Sequence, residues 1–97
     1  MEDKSILTEA MEVAGVSRSR DYGHPLPNHE RIAAIWSVIL GAPVTPEQVV
    51  YCMIGMKLAR EVNKPKRDNM VDICGYIRCF ELFEPERERR ASEGKAD

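Results

Sequence analysis

The chain has little of what marks a secreted, membrane-spanning or nucleic-acid-coating protein. Its net charge is only −2, and no apolar run approaches the roughly 18 residues that a membrane span needs. The N-terminal residues are acidic and amphipathic, without the apolar core of a signal peptide. These absences predict a cytoplasmic protein that has no membrane partner and binds no extended nucleic acid.

Cysteine is sparse and unpaired in the sequence. Cys52, Cys74 and Cys79 form no CxxC motif, and each lies among apolar residues with helical spacing. We therefore expect reduced, buried thiols rather than a disulfide framework or a zinc site.

Positive charge is concentrated in the middle of the chain. Residues 18–67 carry eight Lys and Arg against four acids, whereas residues 1–17 and 68–97 are each net negative. This distribution suits a small anionic ligand better than a long phosphate backbone.

The apolar spacing predicts an all-α fold of four helices, and no segment has the pattern of a strand. Ser5 is expected to cap the first helix and Gly15 to stop it, and Asn28 is expected to cap the second. The third helix has the strongest start signal, because TPEQ at 45–48 offers a capping box with proline at the first helical position. The predicted helices span 6–14, 29–40, 46–62 and 68–83.

These helices should pack as one antiparallel bundle over residues 1–84, followed by a charged tail at 85–97. Pro85 is expected to interrupt the fourth helix and leave the tail solvated and frayed. The third helix is apolar around most of its circumference, so we expect it to be central. Three neighbours in so small a domain barely cover such a helix, which predicts a homo-oligomer.

Four charged residues on the third and fourth helices form a candidate site. Lys57 and Arg60 share one helix face, as do Asp68 and Asp72 on the next helix. The short basic link at 63–67 should bring the two pairs together. Two interpretations stay open. One is a salt-bridge lattice between the helices; in the other, the cations hold phosphate oxygens while the acids bind Mg²⁺ or orient the cations.

Other residues could complete such a site or pack beside it. In the arm at 16–27, Tyr22 can stack on a base and His24 can donate to a phosphate. Trp36 is expected in the core or at an oligomer interface. Gly55 and Gly75, both in mid-helix, predict a close crossing between the third and fourth helices.

Three strings taken in order resemble a small family of phage-encoded domains of unknown function. They are DYGHPLPNHERIAAIW, VTPEQVVYCMIGMKLAR and DNMVDICGY, and the resemblance covers about residues 18–80. That family is similar to nucleotide modification associated domain 1. It is more distantly similar to MazG-type all-α nucleoside triphosphate pyrophosphohydrolases, in which an acidic pair and an aromatic open a helix, as Asp68, Asp72 and Tyr76 do here. The preceding helix of those enzymes brings two glutamates, where this chain has Lys57 and Arg60.

The residues and the resemblance together leave three functions open. The first is a binder of nucleotide phosphate that sequesters a nucleotide signal. The second is a MazG-like pyrophosphohydrolase in which Asp68 and Asp72 bind Mg²⁺, and the third is a structural adaptor without a small ligand. The ligand-binding residues expected for the binder are Tyr22, His24, Lys57, Arg60 and Tyr76.

Overall fold

A computed structural model describes residues 4–14 and 23–95. These residues form five helices and no strand: α1 (Ile6–Glu12), α2 (Pro25–Leu40), α3 (Pro46–Asn63), α4 (Arg67–Glu81) and α5 (Phe83–Lys95). The all-α fold class is confirmed, and each of the four predicted helices is present. Most of the predicted arm, with Tyr22, and the predicted stop at Gly15 lie outside the described residues.

Two of the predicted helix starts are confirmed in atomic detail. The Ser5 hydroxyl caps α1 by accepting a hydrogen bond from the Thr8 N–H at 3.0 Å. At the start of α3, Thr45 Oγ1 accepts from the Gln48 N–H at 3.1 Å, and Gln48 Oε1 accepts from the Thr45 N–H at 2.9 Å. This reciprocal pair is the predicted capping box.

The predicted start of α2 at Asn28 is wrong, because the helix begins one turn earlier. His24 is its N-cap, and His24 Nδ1 accepts a hydrogen bond from the Leu26 N–H at 3.0 Å. Pro25 and Pro27 lie in the first turn, where backbone N–H groups have no partner within the helix. Proline is therefore tolerated there, and the two prolines open the helix rather than delay it.

The third helix, α3, was predicted to be central, but the central helix in the structure is α4. The backbone of α4 packs against all four other helices, whereas the backbone of α3 packs against α2 and α4 only. On α3, Val49 and Val50 are buried, while Tyr51 and Val62 are 58% and 88% exposed. Apolar residues around a helix indicate that the helix can be buried on all sides. They do not show that the same chain provides the helices that would cover it.

Two smaller predictions also fail within the single chain. A side chain at Gly55 or Gly75 would meet no heavy atom within 4 Å, so neither glycine marks a close helix crossing. The three cysteines are free thiols as predicted, but Cys79 alone is buried, while Cys74 is half-buried and Cys52 is exposed. Cys52 is exposed because it lies on the uncovered side of α3.

The core lies where α2, α3 and the junction of α4 with α5 meet. Leu26, Val50 and Phe83 are its fully buried centre, and Ile54 and Tyr76 pack against them. The Phe83 ring also meets the ring of buried His29 edge-on, at 5.2 Å between centroids. Phe83, the first residue of α5, thus packs this last helix against α2.

Residues 83–95 form α5, where a frayed tail was predicted. Pro85 is the third residue of this helix, so its missing N–H costs no helical hydrogen bond. Ion pairs also hold α5 to the bundle, since Arg87 contacts Glu47 of α3 at 2.6 Å and Arg90 contacts Glu30 of α2 at 2.9 Å. The sequence pattern missed α5 because its stabilising partners are acids far along the chain.

Both the attachment and the helical structure of α5 are expected to weaken in acid. Hydrogen bonds from Arg87 lower the pKa of Glu47 on α3, and within α5 a hydrogen bond from Arg89 lowers the pKa of Glu86 to about 2. Both pKa values lie below that of an unfolded glutamate, about 4.3. Their contribution is therefore complete above about pH 4.3 and is lost as the pH falls toward 2. Protection factors of the α5 amides, which correct hydrogen exchange for its intrinsic slowing in acid, should fall over this range, and Glu47→Gln should show lower protection already at pH 7. Protection at α5 that does not change between pH 6 and pH 2.5 would contradict this role.

Candidate functional site

The turn between α3 and α4 brings the four predicted charged residues together. Only Lys64–Lys66 separate the two helices, and the Lys64 N–H donates to the Arg60 carbonyl at 2.9 Å to close α3. The short link reverses the chain, so the end of α3 lies beside the start of α4. As the spacing predicted, Lys57, Arg60, Asp68 and Asp72 line one cleft.

This cleft, which we call the cationic cleft, has a volume of about 410 Å³. Four cations and two carboxylates line it, so its formal charge is positive. Its polar wall is completed by two asparagines. The lining residues are Lys57, Arg60, Asn63, Lys64, Lys66, Asp68, Asn69 and Asp72.

Lys57 and Asp72 form an ion pair across the cleft. Lys57 Nζ lies 2.7 Å from Asp72 Oδ2, and the lysine side chain is only 13% exposed while the aspartate is 41% exposed. A nearly buried ammonium needs an anion close by, because its loss of hydration is otherwise costly. Asp72 therefore fixes the position of Lys57, and its partial exposure leaves the pair within reach of a ligand.

A second carboxylate organises the link itself. Glu61 Oε1 accepts hydrogen bonds from the Lys66 N–H at 2.9 Å and from Asn69 Nδ2 at 3.0 Å. The Asn69 bond, followed by the Lys66 bond, lowers the pKa of Glu61. The sequence pattern did not single out Asn69, which is 6% exposed. Asn69, in the first turn of α4, thus helps to shape the cleft. Its burial could not be predicted from the local sequence, because it depends on the contact with Glu61 across the turn.

The start of α4 adds partial positive charge to the cationic cleft. Its N-cap is Lys66, whose own side chain makes no capping hydrogen bond, while the Lys66 N–H donates to Glu61. The first N–H groups of a helix carry partial positive charge, so an uncapped start attracts anions. Lys66, Asp68 and Asn69 belong to this first turn and to the cleft wall.

Two further predicted ligand-binding residues, His24 and Tyr76, do not line the cationic cleft. His24 caps α2. Tyr76 is half-buried and packs against the core of Leu26, Val50 and Phe83. The prediction was that Tyr22 or His24 lies close to the four charged residues; since Tyr22 is outside the described residues, it stays a prediction.

The donor set of the cleft favours an anion over a resident divalent cation. Asp72 is engaged by Lys57. Of the other acids on the middle helices, Glu30 is held by Arg90, and Glu61 by Lys66 and Asn69. In the part of the chain that the structure describes, no three His, Cys, Asp or Glu side chains are grouped to hold a metal ion. Mg²⁺ on Asp68 and Asp72 stays a prediction in which the nucleotide phosphates would supply the missing ligands.

Two further features bear on the class of protein. None of the helices in the described ranges is both long and apolar enough to cross a bilayer. An apolar surface with adjoining cavities of about 350 and 330 Å³ lies along α2 and α3, around Trp36, Leu40 and Cys52. The described residues thus define a small all-helical domain with a cationic cleft and an uncovered apolar surface.

The chain belongs to the family described as domain of unknown function (DUF6378), whose model matches residues 5–83. It is similar to the Gene 55 protein of Mycobacterium phage L5, with 44% identity over 88 residues, which are 88% of this chain and 56% of that protein. It is also similar to the Gene 55 protein of Mycobacterium phage D29, with 37% identity over 79 residues, which are 80% of this chain and 52% of that protein.

The chain thus spans about half the length of these phage relatives. No solved structure matches it. The membership confirms the predicted resemblance to a phage-encoded domain family. The matched segment contains the whole cationic cleft and ends at Phe83, so α5 is almost entirely outside it.

Proposed function

We propose that the cationic cleft binds the phosphate groups of a nucleotide or a similar small molecule. The observation that carries this proposal is the excess of cations over acids in a cleft of about 410 Å³. Small-molecule sites commonly have volumes of about 300–1,000 Å³. A lattice that only joined two helices would be served by matched pairs, whereas here Arg60, Lys64 and Lys66 line the cleft beyond the Lys57–Asp72 pair.

The side chains offer complementary ways to hold phosphate. The planar guanidinium of Arg60 can make two parallel hydrogen bonds to phosphate oxygens. Lys57 provides an ammonium that Asp72 holds in place, so little side-chain entropy is lost when an anion binds. The uncapped start of α4 provides backbone N–H groups beside them.

Binding without turnover is the form of this proposal that the cleft favours. Its cations would hold the phosphates, and its two carboxylates, of which Asp72 is already paired with Lys57, are too few to assemble the metal cluster of a hydrolase. Such a protein would sequester a nucleotide signal rather than destroy it. The second candidate is the Mg²⁺-dependent MazG-like hydrolase, which rests on Asp68 and Asp72 sharing one face of α4.

The Asp72→Asn variant separates these two candidates. In a binder, the substitution removes a negative charge near the bound phosphate, which is worth about 1 kcal/mol for charges about 4 Å apart in water, but it also removes the anion that positions Lys57. Because the two effects oppose each other, we expect the affinity for phosphate-bearing nucleotides to stay within about fivefold of wild type, with or without Mg²⁺. In the hydrolase, the same variant removes a metal ligand, so turnover and the Mg²⁺ dependence of affinity are lost.

The measurement is calorimetric titration of wild type and variant with nucleoside mono-, di- and triphosphates, in Mg²⁺ and in EDTA. Each nucleotide is also incubated with wild type and assayed for products by chromatography. Retained, Mg²⁺-independent binding by the variant and unchanged nucleotides support the binder. Mg²⁺-dependent release of pyrophosphate by wild type, abolished in Asp72→Asn, would replace it with the hydrolase.

A further inference from the structure

We propose that the uncovered apolar surface of α2 and α3 binds a second copy of this chain. We call this surface the apolar face and define it by Ile35, Trp36, Ile39 and Leu40 on α2 with Tyr51 and Cys52 on α3. The proposal specifies where the predicted self-association occurs. It does not rest on the proposed function, because Lys57 and Val50 lie on the covered side of α3 while Cys52 lies on the exposed side.

The apolar face is continuous and strongly exposed. Ile39 and Leu40 are 72% and 67% exposed, and Tyr51 is 58% exposed. Trp36, Leu40 and Cys52 line both of its adjoining cavities, so the contributions of α2 and α3 form one surface. Isolated surface leucines are common in monomers, but a contiguous apolar patch across two helices indicates an interaction site.

The chain exposes more surface than a compact monomer of its mass, by enough to supply one side of a dimer interface. Its accessible surface is 6860 Å², whereas a compact monomer of 11.0 kDa exposes roughly 5,600 Å². The excess exceeds the roughly 800 Å² that each partner buries in a standard interface. The shape agrees, since the radius of gyration is 15.4 Å, against about 12.5 Å for a compact domain of this length.

The chemistry of the apolar face selects a second copy as its occupant. Among the residues that the structure describes, no Asp, Glu, Lys or Arg lines either cavity. A partner with charged groups at the contact would have to bury them unpaired against this uncharged surface, which is costly. The same face of a second copy carries only apolar and uncharged groups, so both faces can be buried without leaving a charge unpaired. Gly55 lies along the same side of α3 with open space around it, so a second helix can approach closely. A two-fold dimer, the commonest oligomer, repeats this surface on both sides.

The test compares two leucine variants by sedimentation equilibrium of the full chain. Wild type should have twice the 11.0 kDa mass of one chain at micromolar concentration. Leu40→Glu places a carboxylate in the interface, and we expect the dimer dissociation constant to rise by about 100-fold or more. Leu7→Glu on α1 is the matched control, because Leu7 is also 67% exposed but lies outside the apolar face, and it should remain a dimer.

Alkylation of Cys52 provides a second measurement that needs no variant to fold. The thiol is exposed in the single chain, so its reaction with a maleimide should slow as rising protein concentration drives dimer formation. Leu40→Glu should remove that protection. A wild-type monomer at 100 μM, equal dissociation by both leucine variants, or a Cys52 rate independent of concentration would each overturn the proposal.

Discussion

Replacing Phe83 with alanine is expected to lower the free energy of unfolding by about 3–5 kcal/mol, the usual cost of truncating a buried phenylalanine. Phe83 is 1% exposed and packs in one cluster with Leu26 and Val50. Its ring also contacts His29 edge-on, and the Arg87 guanidinium lies over it at 5.8 Å from the centroid. The substitution therefore removes one contact point shared by α2, α3, α4 and α5.

Such a loss is a large part of the roughly 5–15 kcal/mol that stabilises a typical domain. Urea denaturation followed by circular dichroism at 222 nm measures it, at one fixed protein concentration because association also contributes. Phe80→Ala is the matched control. Phe80 is one turn earlier and 42% exposed, so we expect a cost of about 1 kcal/mol or less from the smaller area removed. Equal losses for the two variants would show that Phe83 is not the centre of the core.

Removing either cation of the cationic cleft is expected to weaken nucleotide binding by about 1.5–3 kcal/mol, or about 10- to 150-fold. Hydrogen bonds to charged groups have this strength, and Lys57 and Arg60 would each donate at least one to phosphate. Lys57→Ala should also reduce stability, because it leaves Asp72 without the ammonium at 2.7 Å. Arg60→Ala should leave stability nearly unchanged, since the Arg60 side chain is exposed.

A phosphate-binding site and a structural salt-bridge lattice predict different effects of these substitutions. In a binding site they lower the nucleotide affinity, whereas in a lattice they lower only the stability. Calorimetric titration measures the nucleotide affinity of each variant, and urea denaturation measures its stability. Arg78→Ala is the control, because it removes one positive charge from α4 at the exposed Arg78–Glu81 pair, outside the cleft. It should lower affinity less than twofold. If Lys57→Ala lowers only stability and Arg60→Ala changes nothing, the charged residues are a structural lattice.

Local signals in the sequence predicted the local structure well. The capping box at Thr45 and the cap at Ser5 need only residues within one turn, and both are confirmed. The grouping of Lys57 and Arg60 with Asp68 and Asp72 was also predictable, because helix periodicity fixes a face and a short link leaves little freedom.

Features that depend on distant residues were not predictable in this way. The burial of Asn69 depends on Glu61 across the turn, and the attachment of α5 depends on Glu47 and Glu30, about 40 and 60 residues earlier. The composition of α3 indicated burial but could not show whether a neighbouring helix or a second chain provides the cover. His24 was predicted to bind a ligand, and its role as the cap of α2 was not foreseen. That role depends on two prolines fitting into the first turn of the helix, which the local pattern did not indicate.

The most direct test of the cationic cleft is a nuclear magnetic resonance titration of the ¹⁵N-labelled full chain with nucleotides and with inorganic phosphate. The cleft predicts saturable shifts of backbone amides between residues 57 and 72, centred on Arg60 and the first turn of α4, for ligands that carry phosphate. The corresponding nucleosides should leave these amides unmoved. No shift at millimolar nucleotide, or shifts confined to the apolar face around Trp36, would contradict phosphate binding in this cleft.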